Sequence, residues 1–155
     1  MGRRRTRVDD VLAALEAAFE RKGWHGPTVI EALEGVSSTA AARKLGAAHH
    51  SIHQLVDHIQ YWEQAGLRYL TKPGRPKPPR RDWSRPTTSF AAAVARLRST
   101  HARLVAVVTR LADADLDRPV RTLGSGVTPL ARVLHGIAAH AAYHAGQIRL
   151  LRTLR

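Results

Sequence analysis

The chain contains no cysteine, which excludes structural disulfides, thiolate metal ligands and a catalytic protein thiol. Any metal must therefore sit on imidazole, carboxylate or water. Aromatic residues make up only 5% of the chain, and they do not interleave with basic residues as on surfaces that stack single-stranded bases. No window approaches the roughly eighteen consecutive apolar residues of a membrane span. The start, MGRRRTRVDDVLAALEAAFERKG, is basic but has neither the apolar segment nor the small-residue cleavage site of a secretory signal. A cytoplasmic protein with no membrane partner is the expectation. Lysine is scarce as well: of 25 basic residues only Lys22, Lys44, Lys72 and Lys77 are lysine. The net charge of +13 is carried by arginines scattered along the chain, which predicts weak, nonspecific, salt-dependent adhesion to nucleic acid, with a dedicated nucleic-acid-binding role as a lesser alternative.

What the sequence does have is helical periodicity, in a length of 155 residues that suits one domain spanning 1–155. After a basic N-terminal tail at 1–6, apolar Val11, Leu12, Leu15 and Phe19 predict an amphipathic helix over Val8 to Arg21, opened by Asp9 and Asp10. A short helix follows from Pro27 to Leu33, and a further turn is expected around Thr39 to Lys44. Ile52, Leu55, Val56, Ile59 and Trp62 mark a long helix from Ser51 to about Leu70, capped by Ser51 or His50. Residues 71–86 form a Pro-rich surface loop, holding five of the eight prolines. Thr87 or Thr88 should cap the next helix, in which Phe90, Val94, Leu97, His101, Leu104, Val108 and Leu111 sustain a heptad seam. A connection containing TLGSGVTP, whose GSG is at most a weak phosphate signal, leads to a last helix beginning at Thr128 and Pro129. No segment alternates with period two, so no sheet is expected. The prediction is an all-α four-helix bundle with short extra helices in its connections.

The chemistry concentrates in HAAYHAGQIRLLR on that last helix. His140 and His144 stand at i and i+4, so both imidazoles project from one helix face about 6 Å apart, close enough to share a divalent ion. Gln147 continues the same stripe. The best third ligand is His58 in HSIHQLVDHIQYWE, at the edge of the apolar stripe of a second long helix. Four further residues are candidates for the pocket around such a site: Trp24 and His25 before the Gly26-Pro27 break, His101 in the heptad seam, and Tyr143 between the paired histidines. His49, His50 and His53, at a helix start, read as solvated or capping residues, and His135 as structural or surface. A zincin protease has glutamate directly after its first histidine; here alanine follows His140, so the general base of that mechanism is missing. A serine nucleophile elbow, a P-loop and a dinucleotide fingerprint are absent too.

WHGP at 24–27, HSIHQLVDHIQYWE at 50–63 and HGIAAHAAYHAGQIRLLR at 135–152 together resemble the DinB-like superfamily, the damage-inducible DinB and YfiT-type metalloenzymes. The resemblance implies an up-down-down-up four-helix bundle, a metal triad of His58, His140 and His144, and a homodimer. Family members bind nickel, zinc or other divalent ions, and some relatives transfer or isomerise with a low-molecular-weight thiol as cosubstrate. The expected function is a metal-dependent enzyme, a hydrolase or small-thiol S-transferase, acting on a small-molecule substrate through a three-histidine site with open coordination positions. The alternative is a noncatalytic, stress-related binding bundle with a structural or adventitious metal.

Overall fold

Helix starts in this chain are set by side chains that satisfy the free N–H groups of a first turn. In the computed structural model, which describes residues 4–21, 23–71, 82–122 and 126–154, Thr6 opens α1 (Arg7–Phe19) as half of a capping box with Asp9. Thr28 and Glu31 do the same for α2 (Val29–Leu33), and Ser37 caps α3 (Ser38–Ala42). At α4 (Ile52–Thr71) the backbone N–H of Gln54 donates to Ser51 Oγ while Gln54 Oε1 accepts from the Ser51 N–H. The cap of α5 (Phe90–Val108) is Ser89 rather than the expected Thr87 or Thr88, since the Ala92 N–H donates to its hydroxyl. The last helix, α6 (Leu130–Thr153), follows Pro129, which offers no side-chain cap. Residues 1–3 of the basic tail, 72–81 of the Pro-rich loop and 123–125 of the GSG connection lie outside the described residues.

Two short strands stand where no sheet is expected. Between α5 and α6, after a 3-10 turn at Asp113–Asp117, β1 (Pro119–Arg121) pairs antiparallel with β2 (Val127–Pro129), so Val120 faces Thr128. Strands of three residues are too short to display period two, and a proline at each outer end hides them further.

Helix directions follow from cross-contacts. Asp57 meets Arg96, Gln60 meets Thr100 and Glu63 meets His101, so α4 and α5 run parallel. The connection between them therefore has to travel back along the bundle. The first N–H groups of α1, at Arg7 and Val8, donate to the Asp113 carboxylate just beyond the end of α5, which makes α1 antiparallel to α5. His58 lies against His140 while Gly66, two turns later, faces Ile137, so α6 opposes α4. The result is an up-down-down-up four-helix bundle. Its core is filled by Leu15, Phe19, Ile59, Leu97, Leu104, Leu134 and Ile148, all completely buried, each contributing on the order of 2 kcal/mol by area removed from water.

Gly66 matters to the packing of α4 on α6. A Cβ there would collide with Ile137 Cδ1 and stand 3.7 Å from Leu104 Cδ1. Gly66→Leu should therefore cost about 1–3 kcal/mol through overpacking, read as a lower urea midpoint with an unchanged slope. Several arginines serve the fold directly: Arg118 donates to the Tyr69 carbonyl, Arg152 to the Ala32 carbonyl, and Arg43 to the Leu154 carbonyl. Among the described residues no helix is long and apolar enough to cross a membrane.

Candidate metal centre

Three imidazoles converge where α4 and α6 face each other. His58 of α4 and His144 of α6 are buried and His140 is partly buried. The Nε2 of His140 stands 2.9 Å from the Nε2 of His58 and 2.9 Å from that of His144. Helical spacing explains the pair on α6; the antiparallel docking of α4 brings in the third ring.

The outer nitrogens decide what the inner ones present. His58 Nδ1 lies 2.7 Å from Asp82 Oδ1. An ionised carboxylate only accepts, so His58 carries its proton on Nδ1 and turns an Nε2 lone pair inward. His144 Nδ1 donates in the same way to Gln147 Oε1 at 2.6 Å, and Gln147 Nε2 donates onward to the Tyr143 hydroxyl at 2.9 Å. His140 could donate from Nε2 to only one of its two neighbours, so hydrogen bonds alone leave at least one lone pair facing another. One cation satisfies all three. The potential ligand atoms of His58, His140 and His144 lie within 4.8 Å of one another, and an all-imidazole set without thiolate suits a divalent transition metal such as zinc, copper, iron or nickel.

Electrostatics keep the rings in the coordinating form. Burial, then the neighbouring His144 and His58, lowers the His140 pKa to about 3. Burial also lowers His58 and His144, partly offset by the Asp82 and Gln147 hydrogen bonds respectively. In the metal-free protein the unfolded chain takes a proton on His140 near pH 6.5, whereas the folded chain resists it down to about 3. Between those values the unfolded state binds more protons, so stability falls as pH falls across this window. Metal-free protein titrated from pH 7 to 4 should lose denaturant resistance progressively, and His140→Ala should flatten that slope.

Aromatic rings wall the cluster. Trp83 stacks on His58 with ring centroids 3.8 Å apart, and His50 stacks on the opposite face of Trp83 at 3.7 Å. Trp62 meets His58 and His140 edge-on. A cavity of about 680 Å³ opens beside His58 and His140, bounded by Trp62, Ile137 and Val133 and by Thr128 of the β-ribbon.

Of the pocket candidates, Gln147 orients a triad histidine and Tyr143, largely exposed, braces Gln147. Trp24 and His25 are not brought to the cluster: Trp24 is 98% exposed in the tight turn closed by the Gly23–Gly26 bridge, and His25 is exposed beside Gly23. His101 also stands apart, buried with its Nδ1 2.8 Å from Glu63 Oε1 and its ring stacked 3.7 Å from Phe19. His50 and His53, expected to be solvated or capping, instead pack on Trp83 and Phe90. The sequence reading missed Asp82 and Trp83, which it placed in a surface loop. The signal was an acid next to an aromatic inside an otherwise basic, Pro-rich run.

The comparisons agree with this architecture. The structure superposes on YfiT from Bacillus subtilis with a TM-score of 0.73 at 17% sequence identity, covering 99% of this chain and 91% of that one. YfiT is described as a probable metal-dependent hydrolase with an unusual four-helix bundle topology. No curated protein matches the sequence. Residues 27–148 match the model of the DinB superfamily, and on that span the chain belongs to the DinB superfamily.

Proposed function

We propose that this protein is a metal-dependent enzyme acting on a small molecule, a hydrolase or small-thiol S-transferase, with His58, His140 and His144 holding one zinc or nickel ion. The observation that carries this reading is the convergence of three Nε2 atoms whose rings are oriented from behind by Asp82 and Gln147. Three protein ligands next to a cavity are the layout of a catalytic site, whereas structural zinc sites are closed by four. A divalent ion held there would supply Lewis acidity, lower the pKa of a bound water to near 7 and deprotonate a bound thiol. The chain's own contribution is positional. Asp82 keeps the His58 proton on Nδ1, Gln147 does so for His144, and Trp62 and Trp83 exclude water from the flanks of the rings. With no cysteine in the chain, any thiol chemistry draws its sulfur from a low-molecular-weight cosubstrate.

The test is turnover by zinc- and nickel-loaded protein on two panels. One holds activated esters and amides; the other pairs small thiols with alkyl and aryl electrophiles, read by mass spectrometry. Turnover that disappears in His144→Ala and falls in Asp82→Asn supports the enzyme. Stoichiometric metal with no turnover on either panel favours the noncatalytic bundle.

A further inference from the structure

The cavity beside the triad has a second chemical feature at its far end. Arg132 lines it, and among the described lining residues it is the one permanent cation. The acid in the lining, Asp82, stands at the other end and is hydrogen-bonded to His58. Among the described residues Arg132 has no ion-pair partner, unlike Arg5, Arg7, Arg21 and Arg96. Arg132, Gly136 and His140 succeed one another at four-residue steps on α6, so one inclined stripe of that helix forms the floor. Eight residues at 1.5 Å each separate the two ends by about 12 Å.

The floor between them is open. A Cβ built on Gly136 meets no atom within 4 Å, so the missing side chain leaves room in the cavity and is not required by packing. The walls along this stretch, Trp62, Val133 and Ile137, are apolar. A trough with these apolar walls, with Tyr69, Thr122 and Thr128 also in its lining, that ends in one guanidinium matches an extended, largely hydrocarbon chain with a single negative charge. One cation balances one carboxylate, and the guanidinium fork can take both carboxylate oxygens.

We propose that the cavity binds an elongated, largely apolar carboxylic acid, with Arg132 anchoring the carboxylate and the reactive end lying at the histidine triad. The triad end of this inference rests on the metal-enzyme reading above; the Arg132 end does not require metal. Arg132 is thus a specificity-determining residue, and Gly136 keeps the channel clear.

The experiment uses the metal-free 155-residue chain titrated with octanoate and with octanamide, its neutral isostere. Binding is followed by the NMR signals of the Trp62 indole and the Arg132 and Gly136 amides. The expected result is that octanoate binds about tenfold more tightly than octanamide, roughly one charge-assisted hydrogen-bonded pair. Arg132→Gln should bring octanoate down to the octanamide level while leaving octanamide unchanged. Gly136→Leu should weaken both, and since that position is an open face of the helix, its fold should persist. Equal affinity for the two probes, a preference that survives Arg132→Gln, shifts that map outside the cavity, or no binding of either probe would each overturn the proposal. Zinc binding measured on the same samples separates the two ideas. Zinc uptake without carboxylate preference sinks the anchor alone, and carboxylate preference without zinc uptake sinks the metal-enzyme reading alone.

Discussion

His140→Ala is expected to lower zinc affinity at least about 100-fold and to remove most of the stabilisation that zinc confers on the wild type. His140 is the middle of the cluster, its Nε2 within 2.9 Å of both other Nε2 atoms. Removing it leaves two imidazoles on different helices, which no longer enclose an ion. Binding to the folded state alone stabilises by an amount set by the ratio of free ligand to its dissociation constant, about 4 kcal/mol at a thousandfold ratio. In wild type, added zinc should move the urea midpoint upward by a corresponding amount. In His140→Ala, at the same zinc concentration, the zinc-dependent shift should shrink to about a third of that or less, about 1.4 kcal/mol for a hundredfold weaker site. The metal-free variant should remain folded, because the side chain is only partly buried and contributes no apolar core contact of the size of Leu134 or Ile148. A zinc-dependent midpoint shift that persists at wild-type size would remove His140 from the site.

His101→Ala should have the largest effect on folding and none on metal content. Glu63 and His101 are buried together between α4 and α5, 1% and 3% exposed, joined by one 2.8 Å hydrogen bond. Burial pushes the Glu63 carboxyl up, and the His101 hydrogen bond works against that rise. Glu63 Oε2 and His101 Nε2 are buried with no hydrogen-bond partner among the described residues. Each group is therefore tolerated mainly because of the other. Taking away His101 strands Glu63 in the core and removes the ring stacked on Phe19, for a cost of about 3–5 kcal/mol. Replacing the two together, Glu63→Met with His101→Leu, should recover most of the loss, since a well-packed apolar pair often matches or exceeds a buried ionic one. If the single variant unfolds at the wild-type urea concentration, the pair is not coupled in the way its geometry indicates.

The four long helices were legible because each buries a stripe wide enough to leave a 3.6-residue pattern. Leu97, Leu104 and Val108 on α5 are predicted core positions and are completely buried. The histidine pair was legible for the same reason, since helical spacing alone juxtaposes His140 and His144. His101 shows where periodicity stops: a heptad position says that a side chain points inward, and the partner that waits there, Glu63, comes from another helix. Asp82 and Trp83 were hidden for a different reason. Loop residues carry no period, so their placement against His58 depends on the path of the connection between two parallel helices. The β-ribbon was missed because six residues in two strands carry too little pattern. Trp24, a pocket candidate from its place before the Gly26-Pro27 break, is instead 98% exposed in the turn closed by the Gly23–Gly26 bridge, a placement that no periodicity encodes.

Under the proposed function, three imidazoles from α4 and α6 hold one divalent ion. The most direct measurement is elemental analysis of tag-free protein, loaded with zinc and freed of excess by gel filtration, alongside His58→Ala and His144→Ala. The prediction is about one ion per chain in the wild type and almost none in either variant. Full metal content in both variants would contradict it.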